Sequence, residues 1–343
     1  MKRARAVLAL LALGLPLVVA CPRGAPGGGG SAGEVVVYVS EDQVFSQPVL
    51  ERFERETGIR VRAVYDTEET KSTGVMNRLL AERDHPRADL YWANEPIRAE
   101  VLRQRGVAEP YRSPAAEGIP AAFHDPDWHW TGFSARLRVL IVNASVTDPP
   151  RSVLELADPA WRGRVVLANP LFGTTTSHVA ALFVALGDDA ARTFLERLRA
   201  NGVRITASNG ESADLVASGQ AAVSLVDSDD AINRIRRGEP LRMIVPDQDP
   251  GGLGCFVVPN AVVLVRGGPH PEAARRLADF LLSPATERQL AEADCAQIPL
   301  HPGVPVPADV PRLQDLRTME VATAAVAAKM VGIQPWLEAW VGS

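Results

Sequence analysis

Short β-branched runs alternate with helix-length amphipathic segments along this chain, and that alternation dictates its fold class. The run EVVVYVS (34–40) is apolar and bounded by polar residues, as a strand covered on both faces must be. SQPVLERFERETG follows with an apolar stripe at helical spacing and a stop at Gly58. IRVRAVYD reads as a second strand, TKSTGVMNRLLAERD as a second helix and ADLYWANE as a third strand. Repeats of this kind build a parallel sheet flanked by helices.

After Pro149 a second set begins: VLELADPAWRGRVVLANP, a helix from about Ser177 to Leu186, ARTFLERLRANG, VRITAS, ADLVASG and AAVSLVD. SARLRVLIVNAS (134–145) leads into this second α/β lobe, and CFVVPNAVVLVRG (255–267) leads out of it. The expected division is therefore residues 34–138 with 264–343 as a discontinuous first lobe, and 139–263 as the second. The helical remainder, from HPEAARRLADFLLS to QPWLEAWVG, is expected to pack back onto the first lobe. Two connecting strands make a hinge, and a cleft at such a lobe interface is a preferred ligand site.

The chain opens MKRARAVLALLALGLPLVVAC, a basic start followed by a short apolar run and small residues, which is the pattern of a secretory signal peptide over 1–20. Val18-Val19-Ala20-Cys21 resembles the lipobox of bacterial lipoproteins, which implies lipidation of Cys21; ordinary cleavage with an unmodified cysteine is the alternative. PRGAPGGGGSAGE makes 21–33 a flexible tether. The expected location is the periplasmic or extracellular face, lipid-anchored.

Removing 1–20 takes Lys2, Arg3 and Arg5 and no acid, so the net charge moves from −5 to −8. That balance argues against a nucleic-acid partner. If Cys21 carries lipid, Cys255 and Cys295 are the remaining pair in an oxidising compartment, where a disulfide is expected and two separate buried thiols are the alternative. The chain carries no GxSxG, Walker A, HExxH or zinc-type cysteine spacing, so it is expected not to be an enzyme and to need no catalytic cofactor. An exported hydrolase using paired acids, which needs no short motif, is the lesser alternative. The six histidines are scattered, and His129, between Trp128 and Trp130, reads as packing.

Carboxyl ends of parallel strands face the ligand crevice in open α/β sheets. Glu41, Asp42, Glu95, Asp227, Asp229 and Asp230 all follow strands by this reading. The last three belong to VSLVDSDDAINR, where one of the adjacent Asp229 and Asp230 is also a good N-cap for the next helix. Acids gathered from both lobes repel one another until a cation enters, so a cationic ligand would couple binding to closure. Hard oxygen donors suit Fe³⁺, Mn²⁺, Ca²⁺ or Mg²⁺, and an ammonium group held by the acids, with Trp92 or Tyr65 as an aromatic face, is the alternative. In NPLFGTTTSHVAALF, Gly173, Thr174, Thr175 and Thr176 precede a helix and form an anion-friendly corner, with an ordinary Thr-capped helix as the alternative and Asp227 nearby opposing a bare phosphate. A zwitterion, amine toward the acids and anionic group toward the corner, fits both halves. YDTEETKS adds Glu68 and Glu69 as reserve ligands, although both also suit a helical first turn. Arg136 and Arg138 alternate on the entering connector, where one could anchor an anion or pair with an aspartate.

VVVYVSEDQ, FERETGIRV, RADLYWANEP, SARLRVLIVN, LADPAWRGRVVLANP, ASGQAAVSLVDSDDA and HPEAARRLADFLLSP together resemble the substrate-binding proteins of bacterial ABC importers, in their iron(III)-receptor branch. The resemblance implies an α/β, two-lobed periplasmic-binding-protein fold of type II, with a Venus-flytrap closure over the ligand. It implies an ABC permease and its ATPase as partners, and a monomer. In that branch a His and a Glu from the first lobe and two adjacent tyrosines from the second hold iron, beside a synergistic phosphate or carbonate at the loop matching Gly173, Thr174 and Thr175, which implies Asn209 of SNGES as a helper here. Matching by motif puts Asp42 at the His position, Glu95 at the Glu position, and Asp229 with Asp230 at the tyrosine pair, as the implied metal set. The chain departs there: its tyrosines are Tyr38, Tyr65, Tyr91 and Tyr111, none in the second lobe.

Overall fold

The computed structural model describes residues 33–66 and 72–342. The expected signal peptide, Cys21, most of the expected tether, Glu68 and Glu69 lie outside the described residues. From its start the order is β1 (Glu34–Val39), α1 (Gln43–Thr57), β2 (Arg60–Tyr65), α2 (Thr73–Ala81), β3 (Leu90–Ala93), α3 (Pro96–Gln104), β4 (Ala108–Glu109) and β5 (Thr131–Asn143). It continues with β6 (Val165–Ala168), α4 (Gly173–Leu186), α5 (Asp188–Ala200), β7 (Arg204–Thr206), α6 (Asn209–Ala217), β8 (Val223–Asp227), α7 (Ser228–Arg236) and β9 (Leu241–Ile244). The chain then forms β10 (Val257–Val265), α8 (Pro271–Leu281), α9 (Pro284–Glu292) and α10 (Thr323–Gly342).

Two sheets share one strand. β1 lies parallel to β2 and β3, and β10 runs antiparallel to β3 and to the first half of β5, from Val257 opposite Leu137 to Val262 opposite Thr131. From Arg138 onward β5 changes partners and runs antiparallel to β8 and β9, while β8 lies parallel to β6 and β6 to β7. All of β5 is buried, which explains its long apolar run without alternation. β10 is bonded to first-sheet strands from Val257, so the return crossing comes earlier than the boundary after residue 263 read from sequence.

Local chemistry explains the elements. α1 buries Ser46, Val49, Leu50 and Phe53 on one stripe and ends at Gly58, whose φ of 70° is the left-handed cap conformation that glycine adopts without a Cβ penalty. Phe53 meets Phe280 of α8 at 5.3 Å, edge to face, tying the first helix to the late helices. α8 and α9 cover the first sheet, as expected.

The last helix departs from expectation. α10 packs along α4 as well as α3, with Val326, Met330, Ile333, Leu337 and Trp340 buried. Trp340 Nε1 donates to the Leu195 carbonyl at 3.1 Å, Arg199 donates to the Trp340 carbonyl, and Lys329 reaches Asp188 at 2.5 Å. α10 therefore belongs with second-lobe helices as much as with the first lobe. Its buried residues, Val326, Ala327, Met330, Ile333, Leu337 and Trp340, form a single stripe that meets both α3 and α4, while Val331 on the far side is exposed.

The expected disulfide is absent. Cys255 and Cys295 are separate buried thiols. Cys255 is fixed by backbone bonds to Arg317 and Met319 at the edge of β10, whereas Cys295 donates its thiol to the Leu290 carbonyl at the end of α9. Burial pushes the Cys255 thiol up to about 12 and Cys295 well above its ordinary value, so both are protonated and inert.

Candidate ligand site

Between the two sheets lies a cleft of about 190 Å³. Among the described residues, four helices begin on it: α1 next to Asp42, α4 at Gly173, α6 at Ser208 and Asn209, and α7 at Asp227 to Asp230. Each of these helices follows a strand of a parallel pairing (β1, β6, β7 and β8), so the topology itself aims their N-termini at one space. Unpaired N–H groups and the positive helix ends make that space attractive to an anion. Gly173 turns into α4 with φ 59°, a conformation that disfavours any side chain.

The acids sit on the opposite chemical footing. Asp227, Asp229 and Asp230 present oxygens within 4.8 Å of one another. Asp227 is already matched: Arg138 Nη1 donates at 2.8 Å, the Thr174 hydroxyl at 2.8 Å and Asn209 Nδ2 at 3.2 Å. Burial would raise its carboxyl, but Arg138 and Arg136 outweigh that and hold it below the usual range. Asp229 is pushed up to about 6, by burial first and by the charges of Asp227 and Asp42, against the pull of Arg136. Asp230, half-buried, is raised well above its ordinary value by burial and by Asp229 and Asp227. Two carboxyls whose protons are held by burial and by neighbouring acids, and are released more readily when a positive group arrives, are the cation-responsive part of the cleft.

Arg136 stands between the lobes in this cleft. Its guanidinium lies 3.2 Å from Glu41 Oε2 and 3.8 Å from Asp229 Oδ2, and it also donates to the Asn94 carbonyl. Burial disfavours its charge, but Glu41, Asp229, Asp227 and Asp42 outweigh that and raise its pKa further.

Most of the residues expected at the site converge. Asp42, Gly173, Thr174, Thr175, Asn209, Asp227, Asp229 and Asp230 all line the cleft. Glu41 does not; it is buried behind the cleft, where it accepts Gln297 Nε2 at 2.8 Å and pairs with Arg136. Glu95 is the main correction. Its carboxylate turns inward to cap α3 through the N–H groups of Ile97 (2.6 Å) and Arg98 (3.0 Å), pairs with Arg98 and accepts the Ser177 hydroxyl. Proline at the first position of α3 makes the preceding residue a cap, and that local demand takes Glu95 out of the metal set.

The aromatic faces also fall away. Trp92 is buried against Phe133 and donates to Asn260, and Tyr65 lies away from the cleft lining. No tyrosine lines the cleft among the described residues: Tyr38 bonds Glu82, Tyr91 bonds Ser40 and Tyr111 bonds Asp279. His129 bonds Asp125 at 2.7 Å, outside the cleft. Sequence reasoning missed Asn94, Ser208 and Gly210 as lining residues. The S-x-x-E spacing of Ser208 and Glu211 was the available signal, since Ser208 caps α6 by accepting from Glu211 N.

A family model described as bacterial extracellular solute-binding protein matches residues 98–325. The chain belongs to that family. This solute-binding protein is 27% identical over 290 residues to iron uptake protein A1 of Synechocystis, covering 81% of this chain and 78% of the relative. It is 26% identical over 304 residues to a putative 2-aminoethylphosphonate-binding periplasmic protein of Salmonella paratyphi A, covering 87% and 83%. Among solved structures, iron-bound HitA from Pseudomonas aeruginosa superimposes with a TM-score of 0.79 at 21% identity, covering 89% of this chain and 99% of that one. The fold is thus the two-lobed α/β periplasmic-binding-protein fold, and the relatives are binding and uptake proteins.

Proposed function

We propose that this solute-binding protein captures a small ligand carrying a positive group in the interlobe cleft and delivers it to the permease and ATPase of an ABC importer. The ligand class that fits the cleft best is a zwitterion of the aminophosphonate type. Its ammonium group would face Asp42, Asp229 and Asp230, and its anionic group would face Gly173 to Thr175 and Ser208 to Gly210. The observation that carries this reading is the convergence of four helix N-termini on the same cleft as the raised carboxyls of Asp229 and Asp230. One charge sign alone would leave half of that surface unmatched. The Salmonella relative, named for 2-aminoethylphosphonate binding, supports the class.

A hard metal ion such as Fe³⁺ with a synergistic anion is the second reading, favoured by the mutual approach of the Asp227, Asp229 and Asp230 oxygens and by the iron-uptake relative. Asp42, Asp229 and Asp230 would supply its oxygens, without Glu95. Either ligand would offset repulsion between acids of the two lobes, with the sheet of β1, β2 and β3 closing on that of β6, β7 and β8 about β5 and β10. Tethering through a lipidated Cys21, secretion by 1–20, a monomeric state and a purely receptor role without turnover complete the proposal.

Thermal melting of protein purified without chelators tests it. At a hundred times the dissociation constant a ligand adds about 2.7 kcal/mol of stability. 2-Aminoethylphosphonate is expected to raise Tm, phosphate alone to do so less, and Asp230→Asn to abolish the shift. A rise with Fe³⁺ and iron in the purified protein, without response to the aminophosphonate, would select the metal reading. No response to any of these, or to the polyamine putrescine, would sink the proposal.

A further inference from the structure

Glu95 and Arg98 are an ion pair with side chains 1% and 2% exposed, in contact with neither solvent nor the cleft. The cap of α3 does not require this arrangement, because a neutral serine or asparagine serves an N-terminus about as well and avoids the desolvation of two charges. What the pair adds is reach. Arg98 Nη1 lies 3.2 Å from Glu95 Oε1 and donates to the Gly173 carbonyl at 3.3 Å, while Nη2 donates to Thr73 Oγ1 at 2.9 Å. The Ser177 hydroxyl donates to Glu95 Oε2 at 3.1 Å.

Thr73 begins α2 and Glu95 precedes α3, both on the first sheet's side. Gly173 and Ser177 are one turn apart on α4, which follows β6 of the second sheet. Contacts at positions i and i+4 hold one face of a helix, so they fix its rotation as well as its position. The residues between them include Thr174 and Thr175, which line the ligand cleft.

We infer that the Glu95–Arg98 pair is a latch between the lobes, positioning the Gly173–Thr175 corner without touching the ligand. It rests on the cleft being the ligand site. Opening the lobes separates Arg98 from Gly173 and Glu95 from Ser177, and each separated group must find water instead. The planar guanidinium spans Glu95, Gly173 and Thr73 together, which a lysine ammonium cannot do.

Ser177→Ala and Arg98→Lys test the latch. Alanine is a better helix former than serine, so Ser177→Ala keeps α4 intact. In both variants the ligand-free radius of gyration from small-angle X-ray scattering is expected to exceed that of the wild type. Amide exchange at 173–177 is expected to quicken, and affinity for 2-aminoethylphosphonate to fall about fivefold. Wild-type radius and wild-type exchange in both variants would overturn the latch. Radius and exchange are read without ligand, so they judge the latch even if the wild type ignores aminophosphonate, a result that would count against the ligand reading alone.

Discussion

Arg138 and Asp227 stand opposite each other in the β5–β8 register, and their side chains meet at 2.8 Å with the guanidinium wholly buried. The strand that crosses between the lobes thus carries the counter-charge for the first acid of the DSDD run. The same arginine donates to Thr174, Thr175 and the Leu225 carbonyl, so it organises the second-lobe wall of the cleft as one unit. Replacing Arg138 with methionine strands a buried carboxylate and is expected to lower unfolding stability by about 3–5 kcal/mol in urea denaturation. Asp227→Asn in the Arg138→Met background should recover part of that loss, because it removes the uncompensated charge.

Stability of the ligand-free protein should fall between about pH 4 and pH 7. Asp229 is raised to about 6 from an ordinary 3.8, so the folded state binds a proton that the unfolded state has released across that window. A carboxyl of this kind contributes stability below 3.8 and loses it as pH rises through 6. The effect is on the order of 3 kcal/mol, and Asp229→Asn should flatten it in melting curves recorded against pH. A cationic ligand favours the ionised carboxyls, so its affinity should rise over the same window and its binding should release protons in calorimetry across buffers of different ionisation heat.

Both ring nitrogens of His301 face acceptors, an arrangement that favours the imidazolium. Nδ1 faces Glu287 Oε2 at 2.7 Å, and Nε2 faces the Ala115 carbonyl at 2.8 Å, both of them acceptors. Burial opposes the imidazolium, but the Glu287 bond and charge and the Ala115 carbonyl outweigh it, raising the pKa above 6.5. The stabilisation is complete below 6.5 and is lost as pH rises through the folded value. Imidazole shifts in a pH titration by NMR should give a midpoint above 6.5 for His301, and Glu287→Gln should bring it down.

Trp340→Ala should destabilise by about 3–5 kcal/mol in urea or heat denaturation. It opens a cavity beneath α10 and removes the indole N–H bond to the Leu195 carbonyl, which keeps its place in the α5 ladder. A cost under about 1 kcal/mol would mean that α10 does not carry the packing described.

The β-branched runs exposed β1, β2, β3, β6 and β8, the rule that parallel strands end at the ligand crevice exposed Asp42 and the DSDD acids, and the helix-opening loop with the family resemblance pointed to Gly173 to Thr175 and Asn209. The first two kinds of assignment depend on backbone period and on strand direction, both of which are local. Glu95 also follows a strand, yet its side chain answered the next helix rather than the cleft. The Pro96 that follows it was the readable sign of that choice. Pairing of Cys255 with Cys295 required a distance between two separate elements, which no spacing along a chain supplies. Placement of α10 failed for a related reason: an apolar stripe on a helix announces that it will be covered without saying by what.

The last twenty residues lean on elements made more than a hundred residues earlier in both halves of the molecule. A folding chain therefore lacks a clamp on α3 and α4 until α10 docks, a contact of high sequence separation that is slow to form. The order in which this chain is written delays its own final closure.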